Sequence, residues 1–141
     1  MREILFRGKR VDNGEWVEGG FCYGANRNEP IICPKHDFST EVIPETVGQY
    51  TGLTDKNGKK IFEGDIVAGA LWWQERQKNG AVTFRDGSFG LLWYRGEPLE
   101  FTYCCYLPVE QFNAFTSMCN IVYEVIGNIH DNPELLKGSA E

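Results

Sequence analysis

The stretch Val47-Gly48-Gln49-Tyr50-Thr51-Gly52-Leu53-Thr54-Asp55-Lys56-Asn57-Gly58-Lys59-Lys60-Ile61-Phe62-Glu63-Gly64-Asp65-Ile66-Val67 decides how the chain is read. Short apolar runs flank Asp55-Lys56-Asn57-Gly58, which suits a type I turn: the Asp side chain accepts from the amides after it, and Gly takes the left-handed position that closes a hairpin. Glu63-Gly64-Asp65 then breaks the return strand, and a glycine there permits the sharp redirection that small β-structures need at a corner. The stretch predicts a hairpin, a corner and a third strand running on through Ile66-Val67-Ala68-Gly69-Ala70-Leu71-Trp72-Trp73.

Working outward, almost every periodic segment reads as strand, because apolar residues alternate or come in short β-branched and aromatic runs broken by glycine. Residues 74–80 are polar and expected to be exposed. Asp86-Gly87 suits a two-residue type I′ turn. Pairing Arg85 with Ser88 sets Phe84 opposite Phe89 and Val82 opposite Leu91, so four apolar side chains share one face. Residues 101–107 and 121–126 read as further strands, and 109–115 carries apolar residues at near-helical spacing. Asn132-Pro133-Glu134 fits an N-cap, a proline at the first helical position and an acid in the first turn, which predicts a short C-terminal helix. On the N-terminal side, residues 4–7 and 16–23 form a hairpin around Asp12-Asn13-Gly14. A polar loop, 24–30, precedes a strand fragment at 31–33 that Pro34 halts. Residues 35–45 show no clear period.

Composition narrows the class. A chain of 141 residues suits one domain spanning 1–141, able to bury about two-thirds of its unfolded surface without staples. Hydrophobic residues make up 42% and charged residues 24%, ordinary for a globular protein, and no apolar run nears the roughly 20 residues that span a bilayer. The opening Met1-Arg2-Glu3-Ile4-Leu5-Phe6-Arg7 regains charge too early for a signal peptide. The expected location is the cytoplasm in which the chain is made. Cys22, Cys33, Cys104, Cys105 and Cys119 form an odd set with no Cys-x-x-Cys pair, which argues against a disulfide framework or a redox motif and for buried thiols. The net charge of −6 opposes general attraction to nucleic-acid phosphate.

The central stretch, with the opening Ile4-Leu5-Phe6-Arg7-Gly8-Lys9, with Trp16-Val17-Glu18-Gly19 and with the closing Val125-Ile126-Gly127-Asn128-Ile129-His130-Asp131-Asn132-Pro133-Glu134-Leu135-Leu136, resembles the YopX family of phage and prophage proteins. The resemblance runs from the first residues to about Leu136. It implies a bacteriophage or prophage origin and an SH3-like β-barrel, and it brings no activity with it. The combined expectation is a mainly β chain: an SH3-like barrel over about 47–127, an N-terminal β extension and a short C-terminal helix.

Chemical constellations are sparse. Placing Gly58 at the sixth position of a calcium loop puts Leu53 first and Gly64 twelfth, and neither supplies a side-chain ligand. Cys33-Pro34-Lys35-His36 has the spacing of half a zinc site, with His130 or another cysteine as distant candidates to complete it. Scattered cysteines and histidines are more often unrelated, so no metal or cofactor is expected. Phosphate-binding loops, nucleophile elbows and His-Glu-x-x-His helices are missing from the sequence. The aromatic content is the remaining resource: Trp72 and Trp73 alternate across a strand, and Arg76, Lys78 and Arg85 lie near them in sequence, which makes this either an extra packing layer or subunit interface or the candidate binding surface. The function read from these residues is a non-catalytic accessory protein that binds a host or phage protein and has apolar surface enough to self-associate. One alternative is nucleic-acid binding through the basic and aromatic face, and another is a small hydrolase or metal enzyme using Cys33, His36 or His130.

Overall fold

The computed structural model describes residues 3–24, 29–34, 38–69, 78–85, 88–94, 101–102 and 123–138. The chain forms two compact units, residues 1–52 and 53–141.

The first unit is an antiparallel sheet. Strand β1 (Phe6–Lys9) pairs with β2 (Trp16–Tyr23), β2 with β3 (Pro30–Cys33), and β3 with the two-residue edge strand β4 (Thr40–Glu41). A 3₁₀ turn (Pro44–Thr46) leads into β5 (Gly48–Thr54), whose first residues pair with the other side of β1. The order is therefore β4-β3-β2-β1-β5. Turn chemistry sets the first register: Gly14 takes φ +73°, Gly14 N–H donates to Arg10 O, and Arg10 N–H donates to Glu15 O. That loop sets Lys9 opposite Trp16; β1 begins at Phe6 rather than at Ile4, which is exposed. Ile32, Val42 and Tyr50 are buried. A side chain at Gly8 would press on Val42 Cβ at 3.0 Å.

In the second unit the end of β5 turns at Asp55–Gly58 into β6 (Lys60–Phe62). The turn is as expected from the sequence: Gly58 N–H donates to Asp55 O at 3.0 Å and Gly58 has φ +80°. Strands β7 (Asp65–Gly69), β8 (Lys78–Arg85) and β9 (Ser88–Tyr94) make an antiparallel meander. Strand β10 (Phe101–Thr102) joins the far side of β9, and β11 (Glu124–Asn128) returns beside β7, giving the order β10-β9-β8-β7-β11. The β8–β9 register matches the sequence reading, with Val82 opposite Leu91 and Phe84 opposite Phe89. The rings of Phe84 and Phe89 meet edge-on at 5.0 Å. Val82, Leu91 and Phe89 are buried, while Phe84 stays 50% exposed at the hairpin end. The helix α1 (Glu134–Gly138) closes the unit, and its Leu136 packs in a cluster with Ile66 and Ala81.

The mainly β expectation holds, but the described strands form two antiparallel sheets and no closed barrel. The Asp86-Gly87 turn, the rest of the strand expected at 101–107 and the helix expected at 109–115 lie outside the described residues. Among the described residues no helix is long and apolar enough to cross a membrane.

Candidate functional site

In the first unit the loop after β1 and the approach to β4 face one another across an open groove of about 360 Å³, lined by Arg10, Val11, Asp12 and residues 38–41. Its apolar content is unusually exposed: Phe38 is 88% and Val11 54% accessible. An exposed phenylalanine forgoes the free energy of burying one of the largest apolar surfaces a residue can offer, a gain that a covering partner would recover. Its charged rim is preorganised. Arg10 Nε and Nη2 donate to the two oxygens of Asp12 at 3.0 and 2.8 Å, and this bidentate bond with the Arg10 charge holds the Asp12 carboxyl below the usual carboxylate range. Glu41 O accepts from Val11 N at 3.1 Å, which fixes the loop against the edge strand.

Beside the groove sit two thiols. Cys22 lies opposite Ile31 in the β2–β3 pairing, and Cys33 lies two residues further along β3. The cysteines are therefore diagonal neighbours on one face, with Sγ atoms 3.4 Å apart. Cys33 Sγ also lies 3.5 Å from Oγ of Ser39, a groove residue. The Ser39 hydroxyl first, and the Cys22 thiol second, lower the Cys33 pKa, while the contact with Cys33 raises that of Cys22. The Ser39 contact favours ionisation on the Cys33 side of the pair. This corrects the expectation of buried thiols: Cys22 is exposed and Cys33 partly exposed, because the hairpin places both on an open face. Cys104, Cys105 and Cys119 lie outside the described residues.

The most distinctive sequence motifs of the second unit do structural work. Asp55 is 2% exposed. Its Oδ1 accepts from Asn57 N and Lys59 N, and its Oδ2 from Val125 N, all at 2.9 Å. The same carboxylate closes the hairpin and ties it to β11. Burial pushes the Asp55 pKa upward, and the three amide donors with the Lys59 charge together outweigh it, leaving it below the ordinary value. Asp65, 1% exposed, accepts from Phe62 N at 2.8 Å across the corner where Gly64 has φ +92°. Asn128 Oδ1 accepts from His130 N and Asp131 N at 2.9 Å. Asn132, expected as a helix cap, turns its side-chain oxygen back toward Asn128 N at 3.4 Å, while its carbonyl accepts from Leu135 N.

The residues singled out from sequence are described only in part. Trp72, Trp73, Arg76 and His36 lie outside the described residues. Lys78 and Arg85 are the two ends of β8, roughly 23 Å apart along an extended strand. Cys33 is in the first unit and His130 in the turn after β11. Among the described residues no three His, Cys, Asp or Glu side chains gather as a metal site. The groove went unread because it is built around residues 35–45, which lack a period. Phe38, a lone aromatic between Asp37 and Ser39-Thr40, was the available signal.

Comparison with known proteins adds a family and a fold. A family model described as YopX protein matches residues 5–137. Among solved structures, protein EF1440 from Enterococcus faecalis is similar, with 26% identity, a TM-score of 0.53, and coverage of 96% of this chain and 99% of that one. No curated protein matches the chain.

Proposed function

From the premise that this chain belongs to the YopX family, we propose that it is a phage or prophage accessory protein acting by binding, and that a host or phage protein occupies the groove of its first unit. The observation that carries this reading is Phe38, 88% exposed beside Val11 on an open groove with a fixed charged rim. An apolar anchor ringed by polar groups is the composition of a protein interface, where central aromatics supply much of the affinity. The structural employment of Asp55, Asp65 and Asn128 supports a non-catalytic role, since each carboxylate or amide is spent on backbone amides.

The SH3-like barrel implied by the resemblance belongs to this proposal, as an opened form in the β7-β8-β9 meander with β11 alongside. So do a cytoplasmic location, self-association of the chain, and a second contact through Trp72, Trp73, Arg76, Lys78 and Arg85. Affinity capture from bacterial host cells, with mass-spectrometric identification and with or without nuclease, tests the reading. A protein retained after nuclease treatment is the expected result. Capture that disappears with nuclease assigns the chain to nucleic acid.

A further inference from the structure

Cys22 and Cys33 are the feature the proposed function leaves unused. They reach each other through a register that no Cys-x-x-Cys spacing announces: the hairpin brings residues eleven apart to diagonal positions on an open face. Their sulfurs are 3.4 Å apart, against about 2.05 Å in a disulfide, so about 1.4 Å must close, by side-chain rotation together with the small strand shift that a diagonal pair requires. Both are reachable from solvent. Ser39 Oγ stands on the other side of Cys33 Sγ at 3.5 Å.

We propose that Cys22 and Cys33 form a redox-active dithiol that undergoes exchange with low-molecular-weight disulfides, independently of the groove's occupant. The Cys33 thiolate attacks one sulfur of the small disulfide, forming a mixed disulfide and releasing one small thiolate. Cys22 loses its proton to solvent and its sulfur attacks Cys33 Sγ, forming the Cys22–Cys33 bond and releasing the second small thiolate. The protein dithiol is oxidised by two electrons and the small disulfide is reduced to two thiols. The roles follow from the contacts: Cys33 Sγ has the Ser39 hydroxyl at 3.5 Å in addition to the Cys22 thiol, a donor placed to stabilise a thiolate there, and thiolate is the attacking species. An exposed pair on two strands is of the labile rather than the structural kind.

The test uses the full reduced chain treated with oxidised glutathione and followed by intact mass and by peptide mapping after alkylation. Trypsin cuts after Arg27, which places Cys22 in peptide 11–27 and Cys33 in peptide 28–35. The wild-type map should show these two peptides joined, with no glutathione retained on Cys22 or Cys33. Cys22→Ser should accumulate glutathione on Cys33, because the resolving thiol is gone. Cys33→Ser should react several-fold more slowly at Cys22, and Ser39→Ala should slow the first step in wild type. Stable glutathione on either cysteine of wild type without the joined peptides would overturn the proposal, as would equal rates for the two serine variants. Circular dichroism of each variant separates loss of chemistry from loss of fold.

Discussion

Replacing Asp55 is the sharpest probe of how the second unit is held together. The carboxylate accepts three amide donors at 2.9 Å, and hydrogen bonds to a charged group contribute up to about 1.5–3 kcal/mol each, less where water can take the carboxylate's place. Two of the donors belong to Asn57 and Lys59, which are exposed, so water can replace the carboxylate there and their loss costs about 1 kcal/mol together. The third, Val125 N, is in β11 and half-buried, and leaving it unpaired costs about 2–3 kcal/mol. Asp55→Ala should therefore destabilise by about 3–4 kcal/mol, lowering the melting temperature by roughly 10 °C. Asp55→Asn keeps an oxygen for the turn but sets an amide donor against Val125 N, so about 2 kcal/mol should be lost. The acid dependence has a definite sign. Because the folded pKa lies below the unfolded one, the stabilisation is present above the ordinary carboxylate range, near pH 4, and is lost as pH falls through the lower folded value. The gap between wild type and Asp55→Asn should narrow correspondingly in urea titrations taken from neutral to acid pH. Losses below about 1 kcal/mol for both variants, or a gap that widens in acid, would refute the reasoning.

Gly58 has φ +80° with nothing within 4 Å of a built Cβ, so Gly58→Val should lose about 1 kcal/mol or more through backbone strain alone, and Gly58→Asn less, in thermal melts. Gly127 is different: an added Cβ would lie 2.6 Å from Asn132 Oδ1 and 2.9 Å from Leu135 Cδ1. Gly127→Ala should cost about 1–3 kcal/mol by overpacking, with Gly20→Ala as the tolerated control. Light scattering at micromolar concentration should give a mass above the 16.1 kDa of one chain, and the monomer mass throughout would rule out self-association. Binding to single-stranded and duplex DNA should be weak at about 50 mM salt and weaker at about 200 mM, because the net charge of −6 opposes approach. Sub-micromolar binding at the higher salt would favour the nucleic-acid alternative.

Local chemistry made the hairpins legible. Asp55–Gly58 and the β8–β9 register follow from turn residues and alternation, which act within a few residues, and β2 has the bounds read from sequence. Arrangement above that level was less accessible. The described strands lie in two sheets whose order turns on long-range pairings such as β11 with β7, across more than fifty residues, which local patterns do not encode. The cysteine pair escaped notice for the same reason: its geometry comes from the β2–β3 register, while spacing rules look for neighbours in sequence. Phe38 lay in a segment with neither period nor motif, and only the edge strand beside it gives its exposure a meaning.

The central claim is that a protein partner is held at the groove of the first unit. It is tested most directly by nuclease-treated capture with three baits compared in one experiment: wild type, Phe38→Ser and Arg76→Ala/Lys78→Ala/Arg85→Ala. Phe38 is almost wholly exposed, so its replacement should leave the melting temperature within about 1 °C while removing the captured protein, since truncating a central aromatic anchor costs about 2 kcal/mol or more of binding. The account predicts loss with Phe38→Ser and retention with the triple variant. Retention by Phe38→Ser together with loss by the triple variant would contradict it.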